Sequence, residues 1–123
     1  MNSPLSGFHI LIVEDEPLVA LLVEEVMDQA GARATIARDI PQALKALDAI
    51  RFDAAVVDIN LRGERSWPVT DALAALGIPY ILATGNADLG DARLQAAPVV
   101  AKPYSATQLV KALADALGVR PPA

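Results

Sequence analysis

The sequence contains no cysteine, which excludes disulfides, thiolate metal sites and thiol catalysis and accords with a reducing compartment. Basic charge is also short. Ten Lys and Arg stand against fifteen Asp and Glu, a formal net charge of −5, so no basic stripe exists to track a nucleic-acid backbone, and direct DNA or RNA binding is not expected. Aromatics make up only 4 % of residues, while the 54 % hydrophobic content comes mainly from Ala, Leu, Val and Ile. That balance suits a parallel sheet covered on both faces, whose strands read as short continuous apolar runs. No run approaches the ~18 residues of a membrane span, and Met1 to Gly7 has neither the basic start nor the long apolar stretch of a signal peptide. A cytoplasmic protein without membrane contact is expected. At 123 residues the chain has room for one core and not for two, so residues 1–123 are expected to form a single domain, its core spanning about 8–118.

What is present is a repeated pattern of apolar runs ending on charge. Ile10-Leu-Ile-Val13 ends on Glu14-Asp15, Ala54-Ala-Val-Val57 on Asp58, and Val99-Val-Ala101 on Lys102-Pro103. If these runs are neighbouring parallel strands, three carboxylates and one ammonium gather at one edge of a sheet. In open α/β sheets that edge is where ligands bind. Clustered carboxylates repel one another, and a hard cation such as Mg²⁺ relieves the repulsion.

The rest of the chain supports such a sheet. After the strand His9 to Val13, spacing turns helical from Pro17 to Ala30, with Leu18, Leu22, Met27, Val19, Val23 and Val26 as an apolar stripe and Glu24, Glu25 and Asp28 outward. Pro17 suits a first turn and Gly31 a stop. A strand over Ala34–Ala37 precedes a helix capped by Asp39 and running to about Ala49, with Ala43, Leu44 and Leu47 facing inward. The strand Ala54–Val57 is followed by a polar loop, Asn60 to Pro68, and a helix from about Val69 to Leu76 that Gly77 ends. Tyr80–Ala83 is the fourth strand, Leu89–Ala96 a weak helix, Val99–Ala101 the fifth strand and Ala106–Leu117 a last amphipathic helix. Five strands alternating with five helices give an α/β fold. Right-handed crossovers then divide the helices between the two faces of one parallel sheet.

The order Glu14-Asp15, Asp58, Thr84, Lys102-Pro103 resembles the receiver domain of two-component response regulators over nearly the whole chain. The resemblance implies a flavodoxin-like (βα)5 sandwich of strand order 2-1-3-4-5. It also implies that Asp58 accepts a phosphoryl group from a histidine kinase or histidine phosphotransfer protein. Glu14, Asp15, Asp58 and the backbone carbonyl of Asn60 would serve Mg²⁺, Glu14 directly or through water, while Lys102 and the Thr84 hydroxyl meet phosphoryl oxygens. The domain is then a phosphoacceptor switch rather than an enzyme with a separate substrate, and its output is a protein target met through the face of the fourth helix, fifth strand and fifth helix, where Tyr104 is a reporter residue. Asn60 and Asn86 are implied to flank the phosphoryl group and tune its lifetime.

Pro79-Tyr-Ile-Leu-Ala-Thr-Gly85, Asn60-Leu-Arg-Gly-Glu64 and Lys102-Pro-Tyr104 are similar to an α-proteobacterial subfamily with a Phe-Ala-Thr-Gly motif, often single-domain regulators in stress signalling. Leu82 stands where that motif has Phe, and Val99 stands where many receivers carry a switching aromatic. Other readings stay open. A phosphate sink, a relay shuttle or the receiver part of a hybrid histidine kinase would share these residues. A haloacid-dehalogenase phosphatase needs a second aspartate two residues after the nucleophile, where Asn60 lies. His9, at the far end of its strand, reads as structural, and Trp67 as either core edge or partner contact.

Overall fold

The computed structural model describes residues 3–85, 97–102 and 104–119. Its strands are β1 (His9–Val13), β2 (Arg33–Ala37), β3 (Ala54–Asp58), β4 (Asn60–Leu61), β5 (Glu64–Arg65), β6 (Tyr80–Thr84) and β7 (Val99–Ala101). The helices are α1 (Pro17–Gln29), α2 (Ile40–Ala49), α3 (Trp67–Ala75) and α4 (Ala106–Leu117). The five long strands form one parallel sheet of order β2-β1-β3-β6-β7, and β4 pairs with β5 in a separate antiparallel hairpin. This is the flavodoxin-like arrangement. The expected helix over Leu89–Ala96, together with Asn86, Pro103 and the tail from Arg120, lies outside the described residues.

Because side chains alternate across a strand, β1 and β3 divide their apolar residues between two half-cores. Ile10 and Ile12, with Ala54 and Val56, pack under α1 and α4 against Val23, Met27, Leu109 and Leu113. Leu11 and Val13, with Ala55 and Val57, pack under α2 and α3 against Ala43, Leu47, Val69 and Leu73. Both central strands are therefore covered on both faces, as their unbroken apolar runs imply. The chain leaves β1 toward β2 on one side and returns to β3 on the other. The ends of β1 and β3 thus flank the point where strand order reverses, and this places the acidic residues there.

Local signals fix the helices. A proline sits in the first turn of α1, α2 and α3, where its missing N–H costs no helical bond. The Asp39 side chain accepts from the Gln42 amide at the start of α2, and Ser105 with Gln108 forms a capping box on α4. Gly31 follows α1 at φ +88°, with a built Cβ only 2.6 Å from Ser3 Cβ, so both the turn and the close approach require glycine there.

Two expectations are corrected. Leu18 and Leu22 do not join the core; with Leu21 they are among the most exposed large apolar side chains described, Leu18 at 77 %. α1 buries Ala20, Val23 and Met27 instead. The helix is apolar on two faces, and the sheet takes the one whose small Ala20 lets the backbone approach. The loop from Asn60 to Pro68 is also not irregular: it contains the β4–β5 hairpin, and α3 begins at Trp67, with Pro68 inside its first turn. Trp67 is half-buried and packs at the edge of the second half-core. His9 is structural, its ring tilted 60° to Phe52 at 4.7 Å and its Nε2 sharing a 2.8 Å hydrogen bond with Thr35 Oγ1.

The segment before β1 closes the base of the first half-core. Leu5 is fully buried there, and its amide donates to the Ala30 carbonyl at 3.0 Å. Leu5→Ala is expected to cost about 2–5 kcal/mol. Urea unfolding of the two proteins checks this, and an unchanged midpoint would show that the segment does not contribute to the core.

Candidate functional site

Each charged side chain of the site is placed by the residue that ends a strand. The Glu14 amide donates to the Ala37 carbonyl at 3.0 Å, continuing the β1–β2 ladder by one bond, so Glu14 leaves the sheet in register. Asp58 is the last residue of β3 and pairs with Ala83 of β6. The Lys102 amide donates to the Thr84 carbonyl at 2.8 Å, which extends β6–β7 in the same way. Ladder bonds on three strands therefore bring Glu14, Asp58, Thr84 and Lys102 to one sheet edge; the pattern of apolar runs predicts this for the charged residues, and the family resemblance implies it for Thr84.

The Lys102 ammonium bridges two carboxylates, at 2.9 Å from Glu14 Oε1 and 2.7 Å from Asp58 Oδ2. Glu14 and Asp58 are 3 % and 8 % exposed, so this contact lies largely out of water, where it is stronger than a surface pair. Burial lifts the Glu14 carboxyl to about 8; neighbouring Asp58 adds to the rise and Lys102 opposes it. Burial alone would lower Lys102, but Asp58 and Glu14 outweigh it and hold the ammonium above its ordinary value. Burial and the neighbouring Asp58 thus favour the protonated form of Glu14, while Lys102 favours its charged form.

Glu14, Asp15 and Asp58 each offer a carboxylate oxygen within 4.8 Å of the other two. These are hard oxygen donors at a spacing one small divalent cation can span, so the residues fit Mg²⁺. Asp15 is half-buried and its Oδ2 accepts from the Arg62 amide at 2.9 Å. Asp58 Oδ1 accepts from the Asn60 amide at 3.1 Å. Asn60 is therefore at the site through its backbone, while its side-chain Oδ1 accepts from Arg65 at 3.2 Å across the hairpin. Thr84 is fully buried, and its hydroxyl donates to the Gly85 carbonyl at 2.8 Å.

Sequence reasoning found every acidic and basic side chain of this cluster and missed the two amides, of Asn60 and Arg62, that hold two of them. The signal was the Arg62-Gly63 pair, a two-residue turn with glycine second. Beside the site, Lys102 and Tyr104 border a mostly apolar cleft of about 430 Å³ between α1 and α4, lined by Val19, Leu22, Val23 and Val26. Burial raises the Tyr104 phenol above its usual value.

The sequence matches the family model for the response regulator receiver domain over residues 10–114. It is 31 % identical over 107 residues to the transcriptional activator protein IrlR of Burkholderia pseudomallei, covering 83 % of this chain and 47 % of that protein. The chain thus spans about half the length of this curated relative. Among solved structures it is similar to SdrG from Sphingomonas melonis, with 41 % identity, a TM-score of 0.80 and coverage of 95 % and 99 % of the two chains. It is also similar to the receiver domain of sensor histidine kinase PA1611 from Pseudomonas aeruginosa, with 30 % identity, a TM-score of 0.80 and coverage of 92 % and 99 %; that domain has a magnesium ion coordinated in its active-site cleft. Among the described residues no helix is long and apolar enough to cross a membrane.

The raised Glu14 carboxyl has a stability consequence. In the unfolded chain Glu14 loses its proton near pH 4.5, in the folded protein only near 8. Between those values the folded state binds the extra proton, so its stabilising effect is full below about pH 4.5 and is lost as pH rises through 8. Denaturation midpoints in chelator at pH 5.5 and 8.5 should fall more for wild type than for Glu14→Gln. Equal falls would place the proton elsewhere.

Proposed function

The chain belongs to the response regulator receiver domain family, and from that premise we propose that it is a single-domain response regulator that accepts a phosphoryl group on Asp58 and changes its protein contacts in response. The observation that carries this reading is the Lys102 bridge: the side chain expected to meet a phosphoryl oxygen lies 2.7 Å from the carboxylate expected to receive that group. Glu14, Asp15, Asp58 and the Asn60 backbone carbonyl are the residues that would hold Mg²⁺. Bound there, the cation supplies charge neutralisation to the transferring oxygens.

The steps that fall to the chain's own residues follow from their places. The Asn60 amide holds Oδ1 of Asp58 and the Lys102 ammonium holds its Oδ2, so the two contacts together restrain the carboxylate. Attack of an Asp58 oxygen on the phosphorus of a phosphohistidine forms the O–P bond as the P–N bond breaks, and the imidazole leaves with the electron pair and takes up a proton. The product is an acyl phosphate with new acceptor oxygens and added negative charge. Lys102, already in the pocket, shifts from carboxylate to phosphoryl oxygen. Thr84 can donate to another by rotating away from the Gly85 carbonyl, and through Thr84 and Gly85 the change reaches the chain beyond β6.

A histidine kinase or histidine phosphotransfer protein is the expected donor. The output is a protein target rather than nucleic acid, in keeping with the acidic net charge. Cytoplasmic location, membership of the single-domain subfamily with the Phe-Ala-Thr-Gly-like motif, and roles for Asn60 in phosphoryl lifetime and Tyr104 as reporter belong to the same proposal. A phosphate sink or a relay shuttle would use the same acceptor chemistry.

Incubation with phosphoramidate or acetyl phosphate and Mg²⁺, read by intact mass, should add one phosphoryl group to wild type and none to Asp58→Asn or to wild type in chelator. Lys102→Ala should lower the yield about tenfold or more, the loss of a preorganised charge at the transferring group. An adduct that persists in Asp58→Asn would move the acceptor to another residue.

A further inference from the structure

The β4–β5 hairpin holds a carboxylate from each of two neighbouring strands. Its first amide, Asn60 N–H, donates to Asp58 Oδ1 at 3.1 Å. Its turn amide, Arg62 N–H, donates to Asp15 Oδ2 at 2.9 Å. The separation between the Asp15 and Asp58 carboxylates is therefore set by two residues of hairpin backbone as well as by the β1–β3 ladder.

The hairpin is built to keep those amides in place. Leu61, between them, is 2 % exposed and packs in the second half-core. At the open end Asn60 faces Arg65 in register, and the Arg65 guanidinium donates to Asn60 Oδ1 at 3.2 Å. At the base, the Ile59 amide donates to the Ala83 carbonyl at 3.1 Å and the Ser66 amide to the Ile59 carbonyl at 2.8 Å. The turn requires left-handed backbone at both central residues, φ 52° at Arg62 and 82° at Gly63, and Arg62 is the only non-glycine among the described residues with positive φ. Glycine accepts that conformation without strain and arginine does not. That turn conformation presents the Arg62 amide to Asp15 Oδ2.

The geometry points to the hairpin as the positioning element of the divalent-cation site: its Asn60 and Arg62 amides hold the Asp15–Asp58 bite, and loosening that bite costs Mg²⁺, with its strict geometry, more than Ca²⁺. Mg²⁺ demands near-ideal octahedral geometry at about 2.0–2.1 Å, whereas Ca²⁺ tolerates irregular sites at about 2.3–2.6 Å. Loosening one carboxylate therefore harms the smaller ion more. Each carboxylate keeps lone pairs beyond the one given to its amide, so amide and cation can be held together. This inference rests on the reading of the acidic cluster as a Mg²⁺ site and adds the part of the chain that positions its carboxylates.

The test titrates MgCl₂ and CaCl₂ separately into wild type, Gly63→Val and Glu64→Gln, followed by backbone amide shifts in NMR. Gly63→Val strains the turn at φ 82° with open space around its Cβ, so it disturbs backbone and not packing. Mg²⁺ affinity should fall about tenfold, the usual scale for loss of a residue that orients a ligand, while Ca²⁺ affinity falls less, shifting the ratio toward Ca²⁺ by roughly threefold or more. Glu64→Gln removes an exposed hairpin charge and keeps the backbone, so it should leave the ratio unchanged. An unchanged ratio in Gly63→Val, or an equal shift in Glu64→Gln, overturns the inference. In wild type, the Arg62 amide should stay protected from solvent exchange when Mg²⁺ saturates the protein, a readout independent of how the variants fold. Loss of that protection would make the amide a competitor for Asp15 and overturn the inference. Wild type that binds neither ion removes the Mg²⁺ reading itself, and this inference with it.

Discussion

Three carboxyl groups that share a 4.8 Å space at the end of a buried sheet cannot all be ionised without positive charge among them. Lys102 supplies that charge by reaching from the end of an edge strand across to β1 and β3. The ammonium and the raised Glu14 carboxyl are two answers to the same constraint. One brings in a cation, and the other withholds ionisation. A metal ion would be a third. A charged group entering the pocket therefore meets an ammonium already bonded to two of its acidic side chains.

The constraint reaches back into the fold. Glu14, Asp58 and Lys102 converge only because β1, β3 and β7 end level with one another, and they end level because ladder bonds carry the register one residue past the apolar runs. The apolar runs in turn hold the strands rigid: β1 and β3 are buried on both faces between α1 and α4 on one side and α2 and α3 on the other. A sheet that could slip by one residue would exchange its two half-cores as well as misplace the carboxylates. Core packing and site geometry are thus specified by the same alternation of side chains.

That shared origin explains what could be read from the sequence. Continuous apolar runs ending on charge disclosed the strands, their parallel pairing and the acidic edge, since burial on both faces and a ligand-binding edge each leave a mark on residue type. The buried face of α1 left none. With Leu18, Leu21 and Leu22 on one side and Ala20, Val23 and Met27 on another, apolar periodicity fits both sides, and only the small Ala20 hints at close approach to the sheet. The hairpin was hidden for a different reason. Its strands are two residues long and carry Asn60, Glu64 and Arg65, so there is no alternation to detect, and its pairing is dictated by backbone conformation at Arg62-Gly63. Contacts made by amides, such as those on Asp15 and Asp58, have no residue-type signature.

The geometry also bounds how strongly phosphorylation of Asp58 can drive a switch. The Thr84 hydroxyl already donates to the Gly85 carbonyl in full burial, so a bond to a phosphoryl oxygen replaces one that exists. The gain is the difference between a charge-assisted and a neutral hydrogen bond, on the order of 1 kcal/mol. Lys102 likewise exchanges one anionic oxygen for another. Reversing a two-state population from 1:99 to 99:1 takes about 5.5 kcal/mol, and two exchanges of this kind fall short. Nor does an inward-turning aromatic add burial, because Val99 occupies that position on an edge strand at 37 % exposure. If Asp58 accepts a phosphoryl group as proposed, these exchanges leave the balance of the energy to a pre-existing active population or to the protein partner.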